Sequence, residues 1–229
     1  MNCPLLLTKN ALILLPLQKL GSMKILSTQC VIRQVTLTGY SVIRRDRTNG
    51  AGGGVLLYIR HGLFFRRLDN LLDRSRDFEI LFVSVRPHTL PRPLSIVIVA
   101  VVYCPPWYNA DICRELSDFI ADSFDRLSSH FSDAAFIITG DFNHLNCNQF
   151  SKHLCLKQMV NKPTRGNNIL DKVFTNISMY YAEPAILPPI GKSDHNCIFI
   201  HSKPNIIDTG QELLGLFYGA VSARPVLTK

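Results

Sequence analysis

From Ser95 to Tyr103 the chain reads SIVIVAVVY, an apolar run with almost no polar break. Successive side chains of a strand point to opposite faces, so a run of this kind has to be covered on both. That excludes a sheet with one face in water and requires a layered domain in which sheets and helices bury one another. From Tyr40 onward the runs YSVIRR, GVLLYIR, FEILFVSV, AAFIIT, LDKVFTN and HNCIFIH repeat the theme, each rich in branched or aromatic residues and bounded by polar turns. One amphipathic helix is predicted from Asp111 to His130, with Ile112, Leu116, Phe119, Ile120, Phe124 and Leu127 at helical spacing and Asn109 as its cap. The architecture expected is α/β: a two-sheet β-sandwich flanked by helices.

At 229 residues and 47% hydrophobic content, the chain suits one such domain. The strand rhythm bounds it at residues 39–202. Residues 1–38 hold no aspartate or glutamate and form a diverged N-terminal segment, and 203–229 form a C-terminal tail. Lysine and arginine number 25 against 17 acidic residues, a net charge of +8, which suits an anionic partner such as nucleic acid or equally a solvated basic surface. The seven cysteines show neither a CxxC pair nor zinc-ligand spacing, and read as reduced thiols of an intracellular protein. No apolar run reaches the roughly 20 residues of a membrane span; Ala11 to Leu17 is broken by Pro16 and flanked by Lys9 and Lys19. The glycines from Gly50 to Gly54 lead into a strand rather than a helix, which argues for a turn and against a phosphate-binding loop.

Three segments carry candidate chemistry. In AAFIITGDFNHLN an apolar strand delivers Asp141 and Asn143 to a loop, where a carboxylate could accept a water's proton while an amide orients it. The alternative is a turn in which both side chains cap backbone groups. In IGKSDHNCIFI, Asp194 and His195 precede an apolar strand; the aspartate is placed to bind a cation and the imidazole to meet a phosphate. Such a histidine wants a carboxylate to orient it, and Asp171 of NNILDKVFTN is the candidate. Taken singly, Asp171 and His195 also read as a strand-edge residue and a core-edge histidine.

In this order, GDFN, PTRGNNILDKVFTN and SDHN resemble the endonuclease/exonuclease/phosphatase superfamily, and in detail the apurinic-type endonuclease domain of non-LTR (LINE-like) retrotransposons. GYSVIRRDRTNGAGGGVLLYIR, FEILFVSV and VVYCPPW are similar to that family's upstream segments. The resemblance implies a DNase I-like fold and divalent-metal-dependent phosphodiester hydrolysis, nicking DNA with Mg2+ (or Mn2+) as the only cofactor. It makes Asp141 the activator of water with Asn143 beside it, pairs Asp171 with His195, gives the scissile phosphate to Tyr103, and makes Asp194 the metal-side acid. Thr164 and Arg165 then lie near the nucleic acid. The partner expected is DNA and not a membrane; the location is intracellular, and nuclear for a working nuclease.

The family's first strands, including the glutamate that holds its metal, belong before Gly39, whereas the first acidic residue here is Asp46. Missing or altered first strands and weakened metal binding are therefore expected, with residues 24–37 available for a compensating pairing. No Tyr-x-Asp-Asp polymerase motif occurs. The alternatives are a catalytically inactive nucleic-acid-binding remnant, and a phosphatase or phosphodiesterase of the same fold.

Overall fold

The computed structural model describes residues 11–16, 37–47, 54–68, 72, 78–88, 90–191, 193–203, 215–219 and 221–222. In chain order the strands of the first sheet are β1 (Ala11–Pro16), β2 (Tyr40–Asp46) and β3 (Gly54–Arg60). The second sheet begins with β4 (Phe64–Arg67), β5 (Glu79–Arg86) and β6 (Ile96–Tyr103). Helix α1 (Ala110–His130) leads to β7 (Ala134–Asp141), α2 (Asn148–His153), β8 (Lys157–Gln158) and β9 (Asp171–Thr175). The chain then continues through β10 (Ala185–Leu187), β11 (Ile190–Gly191), β12 (Cys197–Ile200), β13 (Gly215–Tyr218) and β14 (Val221–Ser222), of which β10, β12 and β13 return to the first sheet. The first sheet runs β10-β12-β13-β1-β3-β2, the second β4-β5-β6-β7-β9-β8, and β11 pairs with β14 separately.

The double burial that SIVIVAVVY demands is met in register. Val97, Val99, Val101 and Tyr103 point between the sheets, against Leu81, Val83 and Val85 of β5 and Val55, Leu57 and Ile59 of β3. Ile96, Ile98, Ala100 and Val102 point the other way, onto Leu116, Ile120, Phe124 and Leu127 of α1. Each such side chain removed from water contributes about 1.5–3 kcal/mol, so the middle of the second sheet is the anchor of the fold. β6 and β7 are parallel and cannot be joined by a hairpin, so α1 forms the crossover. The Asn109 side chain accepts the Ile112 N–H at 2.9 Å, as its place before the helix predicts.

Every strand expected from Tyr40 onward forms. Among those the structure adds, besides the short β8, β10, β11, β13 and β14, is β4, whose FFRR is exposed throughout and so lacks the burial signature of the expected strands. It exists because it pairs antiparallel with β5 at the sheet's edge. Two strands of the first sheet come from the chain on either side of 39–202: β1 lies antiparallel to β3 and parallel to β13. A strand therefore does occupy this sheet from before Gly39, while residues 24–37 fall almost wholly outside the described residues. Among the described residues, no helix is long and apolar enough to cross a membrane.

Candidate active site

Strand register places four polar residues abreast at one end of the second sheet. Glu79 at the start of β5 lies opposite Tyr103 at the end of β6, Tyr103 opposite Asp141 at the end of β7, and Asp141 opposite Asp171 at the start of β9. Residues opposite one another share a face, and Tyr103 packs between the sheets, so the row looks toward the first sheet. Its members are buried, both aspartates completely. Gly140 permits this level alignment: a methyl on it would stand 1.8 Å from the Val102 carbonyl oxygen.

The first sheet supplies His195, just before β12 and only 1% exposed. Its Nδ1 lies 2.8 Å from Asp171 Oδ2. With Nδ1 donating to the carboxylate, Nε2 is the ring nitrogen left for a substrate oxygen. Burial alone would lower the pKa of His195, but the hydrogen bond and charge of Asp171, joined by the charges of Asp141 and Asp194, raise it above the ordinary value. Asp141 is pushed up to about 6, chiefly by burial and then by the charge of Asp171, against the pull of His195 and hydrogen bonds from Asn143. A carboxylate poised there can take a proton from water near neutral pH. Tyr103 is raised to about 12 by burial and by the charges of Asp141 and Glu79, so its hydroxyl stays a donor.

The remaining expected residues have different surroundings. Asn143 sits in left-handed backbone, φ 44°, which asparagine tolerates. Its N–H donates to Asp141 Oδ1 at 3.1 Å and its amide nitrogen to the Cys104 carbonyl at 2.9 Å, tying the loops after β6 and β7 together. Thr164, expected near nucleic acid, is wholly buried. Its hydroxyl accepts the N–H groups of Leu170 and Asp171, and its carbonyl accepts the N–H of Asn196 at 2.7 Å. It thereby braces Asp171 and the His195 loop from one point. Asp194 is exposed and pairs with Arg165 at 2.6 Å, which together with its own backbone N–H lowers its pKa despite slight burial.

Two residues with no assigned part in the sequence-based site join the row. Glu79 is buried and its Oε1 accepts Arg47 Nε at 2.7 Å. The only hint was an acidic residue opening an otherwise apolar strand, FEILFVSV. Arg47 was legible merely as one arginine among several.

Asp141, Asp171 and His195 offer ligand atoms within 4.8 Å of one another. Asp171 Oδ1 is buried with no hydrogen-bond partner among the described residues. Two crowded carboxylates with an unspent oxygen suit a hard, oxygen-preferring divalent cation. Asp194, expected on the metal, is not in this cluster.

Neither a protein-family model nor a curated protein matches the sequence. Solved structures do resemble the fold. Humanized Danio (D. rerio) TDP2 superposes with a TM-score of 0.51 at 11% identity, over 80% of this chain and 82% of that one. The chain has a DNase I-like fold. The Neisseria 3′ phosphatase NExo (D146N), bound to a product DNA hairpin, gives 0.49 at 13% identity over 84% and 88%. An endonuclease/exonuclease/phosphatase from Bacteroides vulgatus gives 0.44 at 12% identity over 72% and 77%. In the DNase I-like sandwich described here, the polar row and His195 meet where the ends of the two sheets face each other.

Proposed function

We propose that this chain is a phosphodiesterase that nicks DNA, of the kind found in LINE-like retrotransposons and acting in the nucleus. The observation that carries the reading is the buried Asp171–His195 pair beside the buried Asp141, brought from two sheets to one place. Asp141 takes the proton of the attacking water as that oxygen bonds to phosphorus; the P–O bond to the leaving sugar oxygen breaks, and the leaving oxygen takes up a proton from solvent. His195, charged and oriented by Asp171, donates from Nε2 to a phosphoryl oxygen, and Tyr103 donates a further hydrogen bond as negative charge builds there. Asp141 and Asp171 would hold Mg2+ or Mn2+, which when bound polarises the phosphate as a Lewis acid. The ordered motifs from GYSVIRRDR to SDHN support the retrotransposon assignment over a phosphatase.

A plasmid-nicking assay in magnesium tests this. Asp141→Ala and His195→Ala should each lose at least about 100-fold in rate, and chelation should abolish nicking. Equal rates in the three proteins would reject the site. A second reading, an inactive remnant that binds nucleic acid, draws on the absence of any carboxylate before Asp46. It requires duplex affinity that falls steeply with salt, with no metal-dependent nicking at all.

A further inference from the structure

Trp107 lies in a tight turn after β6, where Tyr108 N–H donates to the Pro105 carbonyl at 3.1 Å. It is 63% exposed, an unusual state for the largest apolar side chain. Yet it is not loose on the surface. The Arg47 guanidinium carbon lies 5.0 Å from the Trp107 ring centroid and 5.9 Å from that of Tyr103. Arg47 is itself held by Glu79, in an ion pair whose side chains are 16% and 10% exposed. An arginine so fixed cannot wander, and the indole resting against it is preorganised at little entropic cost.

This assembly adjoins the catalytic row, because Glu79 and Tyr103 stand two and one strands from Asp141. Neighbouring strands are about 4.8 Å apart, so Glu79 lies about 10 Å from Asp141 along the row. A phosphodiester at Asp141 and His195 would bring its adjoining nucleotide alongside Arg47 and Trp107. An exposed indole backed by a fixed cation has the chemistry that recognises a nucleotide: a π-face for the base and a positive charge close behind it. A paired base keeps its faces inside the helix stack, whereas an unpaired one offers them.

Resting on the phosphodiesterase reading above, we propose that Trp107, backed by Arg47 and Glu79, is a stacking platform for an unpaired nucleotide next to the scissile phosphate. The substrate then has a single-stranded or locally opened nucleotide beside the cut.

Trp107 is the sole tryptophan of the chain, so its fluorescence reports on this subsite alone. The experiment titrates the whole protein, in chelator to prevent cleavage, with a short single-stranded oligodeoxynucleotide, following tryptophan quenching and the anisotropy of a fluorescein-labelled copy. Saturable quenching is expected, with Trp107→Ala weakening binding about tenfold and Trp107→Phe restoring most of it. Duplex of the same sequence should lose less than about twofold in Trp107→Ala. Arg47→Ala should also weaken single-strand binding, but it leaves Glu79 buried and unpaired, so the exposed Trp107 variants decide. Absence of quenching, or equal single-strand affinity in Trp107→Ala and the parent protein, overturns the platform. Nicking that persists beside Trp107-insensitive binding defeats this inference alone; Trp107-dependent binding without nicking supports it and defeats the catalytic reading alone.

Discussion

Gly140→Ala should be far more damaging than its size suggests. Gly140 pairs with Val102 across the parallel β6–β7 ladder, and an added Cβ would meet Val102 O at 1.8 Å, Val102 C at 2.7 Å and Val102 N at 2.9 Å. These are backbone atoms near the ends of two buried strands, so no rotamer change relieves them. Stretching the shortest contact from 1.8 Å to 3.0 Å, the shortest that real Cβ atoms show, requires a retreat of about 1.2 Å. Applied to the neighbouring Cys104 N–H to Asp141 carbonyl bond of 2.9 Å, such a retreat leaves about 4.1 Å, which is no hydrogen bond. Two buried backbone groups left unsatisfied at about 1–3 kcal/mol each put the cost near 4 kcal/mol, a large share of an ordinary domain's stability. Gly166→Ala is the control. It has φ 53° but open space around the new methyl, so only the backbone conformation costs, about 1–2 kcal/mol. Urea denaturation followed by Trp107 fluorescence measures both. A Gly140→Ala protein within about 1 kcal/mol of the parent, or more stable than Gly166→Ala, would refute the claim that close strand approach aligns the site.

Removing Asp171 strands a buried imidazolium, so Asp171→Ala should cost about 3 kcal/mol or more in urea denaturation, and Asp171→Asn less because a hydrogen-bond acceptor remains. Tyr103, held at about 12 against an ordinary 10, favours folding as the neutral phenol; its contribution is complete below pH 10 and is lost as pH climbs to 12. Stability should therefore fall over that window by up to about 3 kcal/mol more in the parent than in Tyr103→Phe, and parallel curves would contradict the cause assigned. Among the cysteines, Cys155 is exposed whereas Cys104 and Cys113 are buried, with burial pushing the Cys104 thiol well up. Brief treatment of the folded protein with a water-soluble thiol reagent, followed by peptide mapping, should find Cys155 labelled before either of them.

Much of this was legible along the chain because periodicity is local. SIVIVAVVY required two covered faces, the spacing from Ile112 to Leu127 required a helix with one buried side, and both were met by layers that the same residues create. Asp141, Asp171 and His195 stood out because a polar residue ending or preceding an apolar strand has few places to go. Pairing, by contrast, depends on residues far apart in sequence. No periodicity marked FFRR as a strand, since β5 rather than its own burial makes it one. Nor did any local feature reveal that Thr164 turns inward to brace Asp171, or that Asp194 would spend its charge on Arg165. The alignment of Glu79, Tyr103, Asp141 and Asp171 is a matter of register, and a slip of one residue in any of those strands would turn its polar side chain to the opposite face. Composition and pattern thus determined which residues had to be inside and which were chemically able; only the closing of two sheets on one another decided which of them meet.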